Sequence, residues 1–117
     1  MNLRRKLSLW VPVVFYVFFI FWLSSAPRKA PPLFRWYGAD KLFHFCEYNP
    51  LGFLLLRAFS PPCWKPSLAV GLIVGTLDEY FQSFVPMRIA SPWDFLADAG
   101  GVLLGLALYR WRTAKTP

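Results

Sequence analysis

Six acidic residues and a single histidine gather in two stretches of this chain. The first, "DKLFHFCEY", holds Asp40, Lys41, His44, Glu47 and Tyr48; the second, "DEYFQSFVPMRIASPWDFLAD", holds Asp78, Glu79, Gln82, Arg88, Asp94 and Asp98. Residues three, four or seven apart share a helix face. Asp40, His44 and Tyr48 therefore form one stripe with Glu47 beside it, Asp78 and Glu79 each share a face with Gln82, and Asp94 shares one with Asp98. A carboxylate one turn from an imidazole holds one ring nitrogen and raises the basicity of the other. His44 with Asp40 thus reads as an acid/base pair, and Glu79 is the third candidate for a catalytic group. Lys41 and Arg88 supply cations for an anionic ligand, while Tyr48, Gln82, Asp94 and Asp98 are the groups expected to bind and order it.

A bland account competes with this one. Ser91, Pro92 and Asp94 spell a helix start, with serine as cap, proline in the first helical position and an acid in the first turn. Asp40 suits the same service. Asp78 and Glu79 sit near a helix C-terminus, where the helix dipole disfavours negative charge by roughly 0.3–1 kcal/mol, so they call for cations such as Arg88 or Lys41. A purely structural ion network would meet that need. A metal is the third option, because His44, Glu47, Glu79, Asp94 and Asp98 are hard or borderline ligands. No H-E-x-x-H spacing supports it, and Lys41 and Arg88 would compete for the carboxylates, so no metal or other cofactor is expected.

Positioning these groups falls to long apolar blocks. The chain of 117 residues is 56% hydrophobic and 20% aromatic, with a mean hydropathy of +0.39. No charge interrupts residues 7–27, a run long enough at 1.5 Å per residue to cross roughly 30 Å of hydrocarbon. Arg4, Arg5 and Lys6 ahead of it and Ser24-Ser25-Ala26 at its end also fit a cleavable leader, but the run is longer and more aromatic than such peptides are. Three more blocks of similar length follow, bounded by Pro, Arg or Lys. The expectation is a single all-α domain over residues 1–117, an integral membrane four-helix bundle with spans at about 7–26, 40–59, 66–84 and 91–111.

Four spans put Arg4, Arg5, Lys6, Arg57, Lys65, Arg110, Arg112 and Lys115 on one side, against Arg28, Lys29, Arg35, Lys41 and Arg88 on the other. Positive charge favours the cytoplasm, so both termini are expected there. Trp10, Trp64 and Trp111 fall at one set of span ends and Trp22, Trp36 and Trp93 at the other, as interfacial indoles do. All six acids and His44 then lie in the non-cytoplasmic half of the spans. The net charge of +7 belongs to a face that meets anionic lipid headgroups. Nucleic acid is excluded as a partner, since the cations are scattered over loop ends without a recognition motif.

Gly101 and Gly105 continue the Asp94–Asp98 stripe, and Gly71 and Gly75 repeat the spacing in the third block, so these faces are expected to meet other helices closely. The acids should therefore face protein, at the mouth of an outward-facing polar cleft. Pro50 removes a donor and frees the Cys46 carbonyl, which would open the second helix beside that cleft. Arg57 at the far end of the same block is expected to snorkel to headgroups. Cys46 and Cys63 are about 25 Å apart along a helix, too far for a disulfide, and read as small apolar fillers.

These residues resemble the VanZ-like family, named for a protein associated with tolerance of the glycopeptide teicoplanin. The blocks "DKLFHFCEY…LGF", "DEYFQSFVPMR" and "DFLADAGGVLLG" carry the resemblance, which runs from "LSSAP" almost to the C-terminus. Asp40, Lys41, His44 and Tyr48 match its first signature, Glu79, Gln82, Pro86 and Arg88 its second, and Asp94, Asp98, Gly101 and Gly105 its third. Met87 stands where the family often has glycine, Asp98 where it has Asn or sometimes Asp, and Pro50 lies outside the pattern. The resemblance implies a small protein of the bacterial inner membrane and brings no settled reaction. The function expected is binding, with or without modification, of an envelope component such as a lipid-linked cell-wall precursor, in the setting of glycopeptide tolerance. An enzyme of this kind would be a hydrolase or group-transfer enzyme acting on a lipid headgroup. A proton-coupled transporter and a structural or partner-binding membrane subunit are the alternatives. The oligomeric state is not legible.

Overall fold

The computed structural model describes residues 2–25, 39–59, 62–85 and 92–114, without the side chains of Ala39 and Asp40. It contains four helices: α1 over Leu3–Ser25, α2 over Ala39–Ala58, α3 over Trp64–Gln82 and α4 over Pro92–Ala114. Together they fill an elongated body of 46 × 28 × 22 Å. The all-α four-helix bundle expected from the apolar blocks is present, and the observed boundaries differ from the expected ones by a few residues.

Local chemistry accounts for the ends. α1 begins earlier than the apolar run because Asn2 caps it: the Arg5 amide donates to Asn2 Oδ1 at 2.9 Å and the Lys6 amide to the Asn2 carbonyl at 3.1 Å. The three cations are thus the first turns of the helix rather than a tail before it. α3 starts after Cys63, whose backbone is extended, with the Ser67 hydroxyl donating back to the Cys63 carbonyl at 2.7 Å. Its last turn tightens through amides of Ser83, Phe84 and Val85 that reach carbonyls three residues back. α4 opens on Pro92, as the sequence indicated; Ser91 lies outside the described residues. α2 runs continuously through Pro50, which sits on the exposed side, so the expected opening of the helix is not observed.

Contacts fix the directions. Trp10 packs edge-on against Phe59 at 5.1 Å, and the Tyr16 hydroxyl donates to the Glu47 carbonyl, so α1 and α2 run antiparallel. Near the other end of α1, Phe21 meets Phe81 at 5.5 Å and Ser24 meets Gln82, which sets α3 alongside α1. Lys41 pairs with Asp94, His44 with Asp98, and Phe53 with Tyr109, so α2 and α4 are parallel. The helices alternate up and down, and the starts of α1 and α3 share an end with the finishes of α2 and α4.

The most extensive contact joins α2 and α4. It is closed by glycine: a Cβ at Gly101 would collide with the Phe45 carbonyl, one at Gly105 with the Asn49 carbonyl, and one at Gly52 with the Val102 carbonyl. Gly71 in α3 likewise admits the Val102 side chain, whose methyl carbons stand 2.8 and 2.9 Å from where a Cβ would be. The stripes read from Gly101, Gly105 and Gly71 are therefore helix–helix contacts, and Gly52 is an additional one.

Polarity is distributed against the usual sense. Ser24, His44, Glu47, Ser67, Asp78, Gln82, Asp94 and Asp98 are buried, while Phe15, Phe18, Trp22, Ile73, Phe84 and Leu96 are among many large apolar side chains more than half exposed. Contiguous apolar exteriors of this extent mark contact with lipid or another protein. α1, with a mean hydropathy of 2.1 over its most apolar window, is the one helix among the described residues long and apolar enough to cross a membrane by length and composition. The ionisable groups of α2, α3 and α4 hold those helices below that mark. Cys46 and Cys63 are free and exposed, not fillers of the core.

Candidate functional site

The polar core lies at the end of the bundle where α2 and α4 begin and α1 and α3 finish. Lys41 stands at its edge, with its side chain 37% exposed. Its ammonium meets Asp94 Oδ1 at 2.7 Å as a charge contact without hydrogen-bond angles. Asp94 is in the first turn of α4, where the helix dipole favours an acid. Its carboxylate nevertheless turns toward α2, so capping does not exhaust its role.

Behind this pair sits His44, 2% exposed. Its Nδ1 is 3.0 Å from Asp98 Oδ1 and its Nε2 is 3.8 Å from Asp94 Oδ2. The two acids are one turn apart on α4, so one helix face presents a carboxylate to each ring nitrogen. Deeper still, Asp78 of α3 is fully buried. The Tyr48 hydroxyl donates to Asp78 Oδ2 at 2.8 Å and Gln82 Nε2 donates to the same oxygen at 3.2 Å. Gln82 Nε2 also lies 3.3 Å from the Ser24 hydroxyl, which ties α1 into the network. Asp78 Oδ1 has no hydrogen-bond partner among the described residues. His44, Asp78 and Asp98 each bring a ligand-type atom within 4.8 Å of the others.

His44, Lys41, Tyr48, Gln82, Asp94 and Asp98, all expected site residues, thus converge. Glu79 is half-buried at the margin, within electrostatic reach of Asp94, His44 and Asp78. Asp40 belongs to α2, but its side chain is not described; Arg88 lies outside the described residues. Among the described residues, the carboxylates that meet the imidazole are Asp98 and Asp94, brought from α4; the expected pairing with Asp40 falls on a side chain outside the described ones. Further findings concern Asp78, Glu79 and the cleft. Asp78, not proposed for the site, lies at the centre of the cluster, with its neighbour Glu79 at the margin. Among the described residues, Oδ2 of Asp78 takes neutral donors from Tyr48 and Gln82 in place of the cation expected, and Oδ1 has none. The cluster is enclosed between helices instead of facing outward, because the glycine contacts draw α2 and α4 together immediately beside it.

Chemically, the arrangement places one imidazole between two carboxylates, a third carboxylate within reach, and one lysine linking the buried groups to the surface. It can hold a proton on either ring nitrogen, accept a cation, or receive an anion at Lys41.

A family model described as VanZ/LLP1 matches residues 2–113, nearly the whole chain, and the chain belongs to that family. No curated protein and no solved structure matches it.

Proposed function

We propose that this member of the VanZ/LLP1 family is a multi-pass protein of the bacterial inner membrane, with both termini cytoplasmic, that binds the polar or anionic headgroup of an envelope component through its polar core. The carrying observation is the inverted polarity of the bundle: carboxylates and an imidazole within, large apolar side chains without. Burying charged groups is justified in lipid when they pair with one another or serve a ligand, since an unpaired Asp at mid-bilayer costs roughly 2.5–3.5 kcal/mol even on insertion scales. Trp22 and Trp93 at the polar end and Trp64 and Trp111 at the opposite end are all exposed, which supports two interfacial belts. Arg4, Arg5, Lys6, Arg57, Lys65, Arg110 and Arg112 at the end away from the acids support a cytoplasmic assignment for it.

Lys41 is the proposed point of first contact for the headgroup, being both partly exposed and in charge contact with the buried Asp94; Arg88 is its proposed companion. His44 would move a proton between Asp94 and Asp98, with Asp40 and Glu79 as further acid/base groups and Tyr48 and Gln82 ordering the core. If the bound component is modified, hydrolysis or group transfer at the headgroup is the class within reach. A groove of about 350 Å³ between α1 and α3, lined by Phe18, Phe21, Phe81 and Val85 and reaching Ser24, is suited to an acyl chain beside that headgroup. Away from the polar core the buried side chains among the described residues are mostly apolar, Leu51, Leu55, Val102 and Leu106 among them, with Ser67 polar but not ionisable, which weighs against the transporter reading.

Native mass spectrometry of the protein from its own membrane tests the proposal. A lipid adduct that survives mild activation in wild type and drops at least tenfold in Lys41→Ala is expected. Equal retention in both, or no adduct in either, would reject the headgroup site.

A further inference from the structure

We infer that His44, Asp78 and Asp98 form a binding site for one divalent transition-metal cation, held between α2, α3 and α4. These residues come from three helices, are each at most 3% exposed, and bring their ligand-type atoms within 4.8 Å of one another. One imidazole nitrogen with two carboxylates is a donor set for borderline cations such as Mn²⁺, Fe²⁺ or Zn²⁺ rather than for Ca²⁺.

An independent observation points the same way. Asp78 is completely enclosed, and its Oδ1 has no partner among the described residues although Oδ2 has two donors. A buried carboxylate oxygen left unsatisfied is costly in any protonation state. Charging His44 would balance Asp98 and leave that oxygen untouched. A cation ligated by that oxygen together with His44 and Asp98 would satisfy it directly.

The surroundings have the form that metal sites need. Coordination through Nδ1 leaves His44 Nε2–H to face Asp94 Oδ2, now 3.8 Å away, and a metal-bound histidine commonly gives its other N–H to a carboxylate. Lys41 in turn pairs with Asp94, not with the three ligands, so the competition expected from this lysine falls on the supporting residue and spares the site. Tyr48 and Gln82 orient Asp78 by bonding the oxygen that is not orphaned. Gly75 leaves room beside Asp98, with Asp98 Oδ2 3.5 Å from where a Cβ would stand.

The test uses tag-free protein in detergent, stripped with EDTA and titrated with Mn²⁺. His44 is the only histidine in the chain, so ¹⁵N-histidine labelling reports its ligation by electron spin-echo modulation without any substitution. One Mn²⁺ per chain with a histidine-nitrogen coupling is expected. Affinity should fall at least 100-fold in Asp78→Asn and Asp98→Ala, and 10- to 100-fold in Asp94→Asn, whose residue acts through His44. Absence of stoichiometric Mn²⁺ binding, or binding without the nitrogen coupling, overturns the inference whether or not the variants fold. The lipid readout is separate: a protein that takes up no Mn²⁺ on titration yet loses its lipid in Lys41→Ala would refute the metal site and leave the headgroup reading standing.

Discussion

The α2–α4 interface is joined in two different ways along its length. At one end Lys41, His44, Asp94 and Asp98 meet through charge and hydrogen bonding; beginning within the next turn, Gly101, Gly105 and Gly52 meet the opposite backbone with no side chain between. The glycine contacts themselves are backbone against backbone with no room to give, so their contribution is packing. The polar end is a poor way to hold helices, since desolvating buried ions offsets most of their mutual attraction. Its presence in so small a bundle fits the proposed binding role, for which the glycine seam next to it would supply the rigidity that keeps its groups in place.

The sharpest way to break that contrast is at the seam. Gly105→Ala puts a methyl group onto the Asn49 carbonyl, 2.6 Å from the Phe53 amide nitrogen and 3.0 Å from the Gly52 Cα, where only backbone could move. A loss of about 3 kcal/mol or more is expected, at or beyond the top of the usual overpacking range, read as collapse of the thermal transition in detergent. Gly100→Ala is the internal control: its Cβ would meet only the Phe45 ring edge at 3.3 and 3.4 Å, which a small ring rotation relieves, so the change should stay within about 1 kcal/mol. Equal effects of the two would remove the distinction between seam and periphery.

At the polar end Tyr48→Phe deletes one of the two donors to Asp78 and leaves the carboxylate enclosed. The expected cost is about 1–3 kcal/mol, the range for leaving a buried acceptor short of a partner. The effect should shrink when Mn²⁺ is present, because a bound cation takes over part of the work of the lost hydroxyl. A cost that does not respond to metal would make Tyr48 a purely structural residue.

These two ends also explain what the sequence disclosed. The four helices were legible because proline and charge punctuate apolar runs of spanning length, and the alternating directions followed from the short connections. The choice between Asp78 and Glu79 was not. Both share a face with Gln82, and periodicity cannot separate neighbours about 100° apart on a helix; Tyr48, thirty positions earlier, decides it. Likewise the approach of Asp94 and Asp98 to His44 was not legible, because those carboxylates arrive from α4, more than forty positions away along the chain. Gly52 has no repeat partner on its own helix, so no stripe announced it. The exposure of Cys46 was available from the pattern, since Phe43 and Pro50 flank it on the same outward face.

The smallest predicted effect concerns Lys41 and Asp94, and it is the one that separates binding from scaffolding. The pair is close, at 2.7 Å, yet the lysine is 37% exposed. Water screens the ammonium, and ordering its long side chain offsets part of the attraction, so a double-mutant cycle with Lys41→Met and Asp94→Asn should give a coupling of about 0.2–1 kcal/mol. A coupling several times larger would mean that the pair is a structural clamp like the glycine seam. With the small value, Lys41→Met should leave the unfolding transition nearly unmoved while removing the lipid adduct, which would place the lysine's contribution in ligand capture. The cycle is measured by denaturation in one fixed detergent at low and at moderate salt, because a partly exposed pair weakens with ionic strength and a sealed one does not.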